Sequence, residues 1–329
     1  MRVTTNMIMK NFQYRLNDTL TQQTKHQYQV MTGKKYQNAW ESPLDNAVSA
    51  NLVKRYLRNE DYLTNISDMQ SYQDAQENAS RQILDIAKEI DANYSVQAMN
   101  DTNGLNGRKV FAAALRGYQE SMLKAVNEKY GDDYVMAGAD GKNAPFRMEG
   151  GKLLYRGIDV NDGNMQQLDA LSKEHVYVDL GFGLTFENDK VVDSSAFDTS
   201  FPGINILGYG KNAEGTSQNM IVLAGQMADV LEKEPFDSGE YEKLWKQFHE
   251  QTNHVTDTVA NIGNKTQLLN STKDRLEDLN LSLSEQLNNV VGINPADAIM
   301  RLSWSQFAYN SALRIGNNII SPSLLDFMK

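Results

Sequence analysis

Two histidines and a glutamate in the segment HEQTNH come close to a catalytic metal motif. His249 and His254 flank Glu250 and lie five residues apart, whereas the zinc-protease helix places its two histidines four residues apart on one face. At 3.6 residues per turn, a spacing of five turns the second imidazole about 140° away from the first. We interpret the segment as a solvated helix face and predict no metal site there.

A second segment, DVNDGNMQQLDA, begins like a calcium-binding loop. Gly163 occupies its fifth position, where the loop needs glycine at the sixth, and Ala170 stands where the bidentate glutamate belongs. A cation would lack both the turn and the chelating ligand. The segment is therefore predicted to be a turn before a helix.

Two basic segments, TGKKY and NGRKV, have the glycine and the cations of a phosphate loop. They lack its spaced glycines and the following serine or threonine, so we interpret both as helix C-caps with basic residues near the negative end of the helix dipole. His26 and His175 have no nucleophile or carboxylate at a sequence spacing typical of a catalytic site. With no Cys and no G-x-S-x-G motif, we predict no enzyme, and no catalytic residue, cofactor or metal.

The charge balance excludes one class of partner. The 329 residues hold 32 Lys and Arg against 42 Asp and Glu, a net charge of −10, which is the wrong sign for a surface that neutralises phosphates. Nucleic acid is not expected as a partner. The first twenty residues contain no continuous apolar region of a signal peptide, and no stretch approaches the roughly 20 apolar residues of a membrane span. We therefore expect no cleaved signal and no membrane partner.

The strongest structural pattern is a seven-residue repeat in the C-terminal third. Apolar residues occupy every seventh position without a gap, with Val259 and Leu287 on the same side. A period of seven over this length requires packing against another helix. The predicted core line consists of Val255, Ile262, Leu269, Leu276, Leu283 and Val290.

A weaker repeat follows the N-terminus, where a helix is predicted to begin at a cap formed by Thr5 or Asn6. One line of this repeat is Met9, Leu16, Gln23 and Val30, and the other is Phe12, Thr19 and His26. The polar residues in both lines weaken the seam toward its middle.

Between residues 140 and 210 the helical period disappears and glycine becomes frequent. The segment VYVDLGFGLTF, residues 176–186, alternates strictly, which predicts a half-buried strand or hairpin arm. LLYRGI before it and INILGY after it are predicted to be its companions. The predicted fold is mainly α with a β-rich insertion, and its N- and C-terminal segments form an elongated antiparallel helical bundle.

Four stretches carry a family resemblance. The first is MRVTTNM with VMTGKKYQNAWESPLDNAVSANL, in which Gly33, Lys34, Lys35, Pro43 and Ala47 keep the family pattern and Glu41-Ser42 replaces two aspartates. The others are YSVQAMNDTN, VNEKYGDDYVMAGADGKNAPF and the C-terminal ADAIMRLSWSQFAYNSALRIGNNIISPSLLDFMK. In this order the stretches resemble the flagellin family, and the last favours its hook-filament junction branch. The β insertion lies outside the resemblance.

The resemblance implies a structural subunit of the bacterial flagellum that joins the hook side to the filament by helical self-assembly. It implies terminal segments at 1–45 and 287–329 that are disordered in the monomer, a helical core at 46–140 and 211–286, and a variable β insertion at 141–210. The implied assembly residues are Met9, Phe12, Leu16, Val30, Leu302, Tyr309, Leu313, Ile320, Leu324, Leu325 and Phe327.

The implied partners are like subunits in a ring, a neighbouring hook-associated protein, filament flagellin and a dedicated export chaperone. The implied location is extracellular, reached through the flagellar type III channel without a cleaved signal peptide. A filament flagellin or minor filament subunit is the nearest alternative. A cytoplasmic coiled-coil scaffold is an alternative of another class, since it would explain the heptads but not the β insertion.

Overall fold

The computed structural model describes the backbone of residues 5–94, 104–188 and 190–325, and the side chains of residues 7–94, 104–188 and 190–317. Long helices lie toward both ends of the chain and short strands lie between them, so the predicted fold class is confirmed. The helices are α1 (Thr5–Thr32), α2 (Pro43–Asn93), α3 (Gly104–Val126), α4 (Met165–Ser172), α5 (Ile204–Leu207), α6 (Met220–Glu232), α7 (Ser238–Val291) and α8 (Pro295–Leu325).

The strands form small antiparallel sheets. β1 (Lys129–Tyr130) pairs with β2 (Asp133–Tyr134), and β3 (Phe146–Glu149), β4 (Lys152–Tyr155) and β5 (Ile158–Asp159) form a meander. β6 (Tyr177–Val178) pairs with β9 (Phe197–Asp198), and β7 (Phe186–Glu187) pairs with β8 (Lys190–Val191). LLYRGI thus holds strands, as predicted, but they belong to the β3–β5 meander and do not pair with the VYVDLGFGLTF segment, so its predicted role as a companion of that segment is wrong.

The chain divides into two compact units, one formed by Met1–Glu60 with Glu277–Lys329 and the other by Asp61–Leu276. The second unit contains the main core, in which α3 packs against α6 beneath the β3–β5 meander. Its largest fully buried side chains include Tyr155, Tyr241, Phe146 and Phe248. A smaller cluster in the same unit joins Ile66 of α2 with Leu269 and Leu276 of α7.

Helices α2 and α7 run antiparallel and are joined by polar side chains. In the second unit, Thr266 Oγ1 donates to Glu77 at 3.0 Å, and Gln70 Nε2 donates to Asn270 Oδ1 at 2.6 Å. In the first unit, Asn59 Nδ2 donates to Asn280 Oδ1 at 2.9 Å. Residue numbers rise along α2 as they fall along α7, which fixes the direction. Of the predicted heptad line, Val255, Ile262, Leu269, Leu276 and Leu283 are buried, and Val290 is half-buried.

The long strand predicted from VYVDLGFGLTF is wrong. Only β6 and β7 are strands in this stretch, because Gly181 and Gly183 between them adopt φ values of 81° and 84°. Those left-handed conformations are open to glycine and break an extended chain. The ring of Tyr62 packs on the backbone of Gly181, and Leu180 is buried in the smaller cluster.

Two further predictions fail. INILGY is not a strand, since its first four residues form α5, which Gly208 ends with φ of 80°. NGRKV is not a helix C-cap, because its residues lie in the first turns of α3. The other basic segment was predicted correctly in part: Gly33, at φ of 69°, follows the last turn of α1, and its N–H donates to Gln29 O at 2.9 Å.

Candidate assembly surface

Helices α1 and α8 of the first unit pack together in antiparallel fashion. At one end of the pair, the N–H of Ile293 donates to Gly33 O at 2.9 Å. Toward the other end, the Phe12 ring lies against the backbone of Gly316. Gly33 directly follows α1 and Ile293 lies two residues before α8; the two contacts are 21 residues apart in sequence on the α1 side and 23 on the α8 side, so the helices stay in register along most of their length.

The face of α8 toward α1 is built mainly of small residues. Its buried or half-buried positions recur at alternating spacings of four and three, the repeat of a helix-helix seam. They are Ala298, Leu302, Ser305, Tyr309, Ala312 and Gly316. The matching half-buried positions of α1 are Phe12, Leu16, Thr19, Gln23 and His26. Small side chains on one helix leave room for the larger ones on the other.

The residues predicted for assembly divide into three groups. Phe12, Leu16, Leu302 and Tyr309 are half-buried at the seam within the chain. Three others are exposed, namely Met9, Val30 and Leu313. The side chains of four more lie outside the described residues, namely Ile320, Leu324, Leu325 and Phe327. Their role in contacts between copies stays a prediction.

Sequence reasoning missed an exposed apolar stripe on α8. Trp304 is 70% exposed and Phe307 is 67% exposed, and Met300 and Ile315 are also open to solvent. At about 100° per residue, these four positions lie on the side of α8 opposite its seam with α1. Their spacing of four, three and eight was a readable helical signal. Large apolar side chains exposed on one helix face favour an interaction site.

The connection between α1 and α2 is held to the end of α7. The N–H of Lys35 donates to Val291 O at 2.7 Å, and Lys35 Nζ donates to Asn289 O at 2.8 Å and more weakly to Val290 O at 3.4 Å. The ammonium thus satisfies carbonyls at the negative end of a helix dipole. Lys35 therefore caps α7, a helix distant in sequence, and not the helix that precedes it. Its hydrogen bonds hold the α1–α2 connection against the connection between α7 and α8.

A half-buried carboxylate stiffens the same connection. Glu41 accepts from Lys25 Nζ at 2.6 Å and from the N–H groups of Gln37 and Asn38 at 3.0 Å each. The hydrogen bond from the Lys25 ammonium, with help from the two N–H groups, holds the pKa of Glu41 below its usual value. Glu41 is therefore ionised at neutral pH, and the segment between α1 and α2 stays folded on itself.

The motifs considered for chemistry have structural roles. His249 Nδ1 lies 2.9 Å from Asp91 Oδ2, and Trp245 Nε1 donates to Asp91 Oδ1 at 3.1 Å, so this face of α7 is tied to α2. The calcium-like segment is the predicted turn: Asp159 accepts from the N–H of Asn161, and Asn164 caps α4. The part of the chain that the structure describes has no group of three His, Asp or Glu arranged for a metal ion.

None of the described helices combines the length and the apolar character that crossing a membrane needs.

Comparison with known proteins gives matches to solved structures. No protein-family model matches the chain, and no curated protein matches it. A flagellar hook-associated protein from Vibrio parahaemolyticus aligns with a TM-score of 0.60 at 14% identity, over 77% of this chain and 100% of that one. Flagellar hook-associated protein 3 from Legionella pneumophila aligns with a TM-score of 0.56 at 10% identity, over 73% and 98% of the two chains.

A further structure, the flagellar junction protein FlgL from Legionella pneumophila, aligns with a TM-score of 0.50 at 11% identity, over 68% of this chain and 99% of that one. These identities are low, so what the chain shares with the three proteins is their fold. That fold spans nearly the whole of each of them.

Proposed function

We propose that this chain is a structural subunit of the bacterial flagellum, which joins the hook side to the filament and assembles through α1 and α8. The observation that carries the proposal is the exposed stripe of Met300, Trp304, Phe307 and Ile315. It lies on the helix whose other face is already occupied by α1. The shared fold with flagellar hook-associated proteins supports the same function.

The energetics favour contact between subunits at this stripe. Each large apolar side chain contributes about 1.5–3 kcal/mol when it passes from water into a packed interface. Four such side chains in one line can offset the loss of freedom that accompanies docking. The small residues on the α1-facing side of α8 let α1 approach closely, so the two helices can dock as one unit through the apolar stripe on the opposite side of α8.

The proposal extends to order and partners. Residues 1–45 and 287–329 would become fully ordered only on assembly, while 46–140 and 211–286 form a stable helical core that carries the 141–210 insertion. Like subunits in a ring, a neighbouring hook-associated protein and filament flagellin would contact the chain outside the cell. A dedicated chaperone would accompany it to the flagellar export channel. No step of this function requires catalysis.

Charge substitutions in the stripe test the proposal. Trp304→Glu with Phe307→Glu should leave the melting temperature of the monomer nearly unchanged, since both side chains are exposed. In cells that lack the native gene, we expect this variant to give hooks without filaments and to release filament protein into the medium. Electron microscopy and assay of the medium measure the two outcomes.

A matched control adds the same charge beside the stripe. Gln306 and Asn310 are exposed positions of α8 outside it, so Gln306→Glu with Asn310→Glu should restore filaments. Full filaments on cells that produce the Trp304→Glu, Phe307→Glu variant would contradict the proposed surface.

A further inference from the structure

The start of α2 presents a second exposed surface, which combines apolar and basic side chains. Trp40, in the 3₁₀ turn before the helix, is 76% exposed, and Leu44, in the first turn of α2, is 74% exposed. The exposed positions then continue at alternating spacings of four and three, which keeps them on one helix face. We call this the α2 face; its residues are Trp40, Leu44, Val48, Asn51, Arg55 and Arg58, together with Lys54 at its edge.

The cations of the α2 face form no salt bridge within the described residues. Lys54, Arg55 and Arg58 are exposed and form no ion pair with any described residue. Three adjacent unpaired cations repel one another and raise the local potential. An acidic partner would relieve that repulsion.

An open cavity lies beside the apolar end of the α2 face. It measures about 300 Å³, and its apolar walls are formed by Tyr28, Tyr36, Val53, Leu287 and Val291. The cavity is wide enough to take a large side chain, and an aromatic or aliphatic anchor in such a pocket is the usual centre of a protein interface.

Charge is distributed unequally between the two units of the chain. Residues 1–60 and 277–329 hold 12 Lys and Arg against 9 Asp and Glu, whereas residues 61–276 hold 20 against 33. The positively charged unit of one copy can therefore attract the negatively charged unit of another copy. Complementary surfaces of this kind speed association and fix its orientation.

We propose that the α2 face docks on the acidic unit Asp61–Leu276 of a second copy of this chain. This inference rests on the proposed function, since a structural subunit must contact its own copies. The two surfaces are unlike, so the contact is heterologous, and heterologous contacts close into rings or extend into helical arrays. The apolar end contributes buried area, and the basic end selects the acidic surface.

A protein partner fits the α2 face better than a lipid surface does. A helix that lies in a membrane interface carries its cations on the side opposite its apolar stripe. Here Leu44, Val48, Arg55 and Arg58 follow one another along a single face. Only part of that face could enter the apolar region of a bilayer.

Carbodiimide cross-linking of the full chain tests the contact, because this reagent joins an ammonium directly to a touching carboxylate. Equal amounts of ¹⁵N-labelled and unlabelled protein are mixed at millimolar concentration. We expect isotopically mixed peptides that link Lys54 to a carboxylate within residues 61–276. Their yield should fall at high salt, where screening shortens the reach of the charges to a few ångströms.

Two variants make the test specific. Arg55→Glu with Arg58→Glu should lower the yield of the Lys54 cross-link at least about ten-fold, because it opposes like charges. Arg55→Lys with Arg58→Lys keeps both positive charges at the same positions and should leave the yield of the Lys54 cross-link nearly unchanged.

Each other outcome overturns the inference. Mixed cross-links elsewhere but none at Lys54 would mean that copies associate as the proposed function requires, but not through the α2 face. No mixed cross-link at any position would contradict both proposals. Binding to phosphatidylserine vesicles that the Arg55→Glu, Arg58→Glu change abolishes would assign the α2 face to a lipid surface.

Discussion

Phe12 of α1 packs directly on the backbone of Gly316 in α8. A β-carbon at position 316 would lie 2.8 Å from Phe12 Cε1 and 3.0 Å from Cε2, closer than carbon atoms approach in folded proteins. A side chain at position 316 would therefore displace the Phe12 ring from the α1–α8 contact. The contact fixes one end of the α1–α8 pair, and the hydrogen bond between Ile293 and Gly33 fixes the other.

A methyl group at this contact should impair assembly. Gly316→Ala forces the Phe12 ring away and should weaken the α1–α8 pair by about 1–3 kcal/mol, the usual cost of overpacking. The fraction of hooks that carry filaments, counted by electron microscopy, should fall. Gly263→Ala in α7 is the control, since a β-carbon there meets nothing within 4 Å. Equal filament counts for the two variants would refute the role of this contact.

Amide exchange should separate a stable core from mobile ends in the purified monomer. We expect protection from about residue 45 to about residue 285, because the core of the Asp61–Leu276 unit and the buried heptad residues of α7 hold that region. Residues outside it rely on a seam with the polar positions Thr19, Gln23 and His26. Terminal amides as well protected as those near Leu269 would contradict this expectation.

A charge in the smaller hydrophobic cluster should destabilise the packing of α2 against α7. Leu276 is 2% exposed, and burying an unpaired carboxylate costs several kcal/mol. We therefore expect Leu276→Asp to lower the melting temperature by many degrees. Leu281→Asp, five residues further along the same helix at a position 63% exposed, should melt like the native chain. Equal melting of the two variants would mean that the core line is misassigned.

The seven-residue repeat of α7 could be read from the sequence because every member is apolar. Its counterpart on α2 could not, although Leu52, Asn59, Ile66, Gln73, Ser80 and Ala87 are all buried at the same period. Half of those residues are polar and read as a solvated face. Only the structure shows that α2 and α7 are joined by amide and hydroxyl side chains.

The candidate surface was missed for a related reason. Sequence reasoning places large apolar residues inside and small or polar ones outside, but α8 departs from this pattern. Its seam is lined by Ala298, Ser305, Ala312 and Gly316, while Trp304 and Phe307 face solvent. An alternating pattern likewise predicted one long strand, which fails because Gly181 and Gly183 turn the backbone into a left-handed conformation.

Removal of the C-terminal residues should separate stability from assembly. If residues from Ser321 onward form an assembly surface, their deletion should leave the melting temperature of the monomer nearly unchanged. Leu324, Leu325 and Phe327 could each contribute about 1.5–3 kcal/mol in an assembled interface, so filament formation should be lost. A truncated chain that melts several degrees lower, yet supports full filaments, would assign these residues to the core instead.

Antibody labelling of isolated flagella tests the central claim most directly, because it locates the chain without altering it. In negative-stain images of intact flagella, we expect label in one narrow band where the hook meets the filament, with no label along either. Label distributed along the filament would identify a filament subunit instead. Absence of label from flagella, with the protein retained in the cytoplasm, would contradict the proposed function.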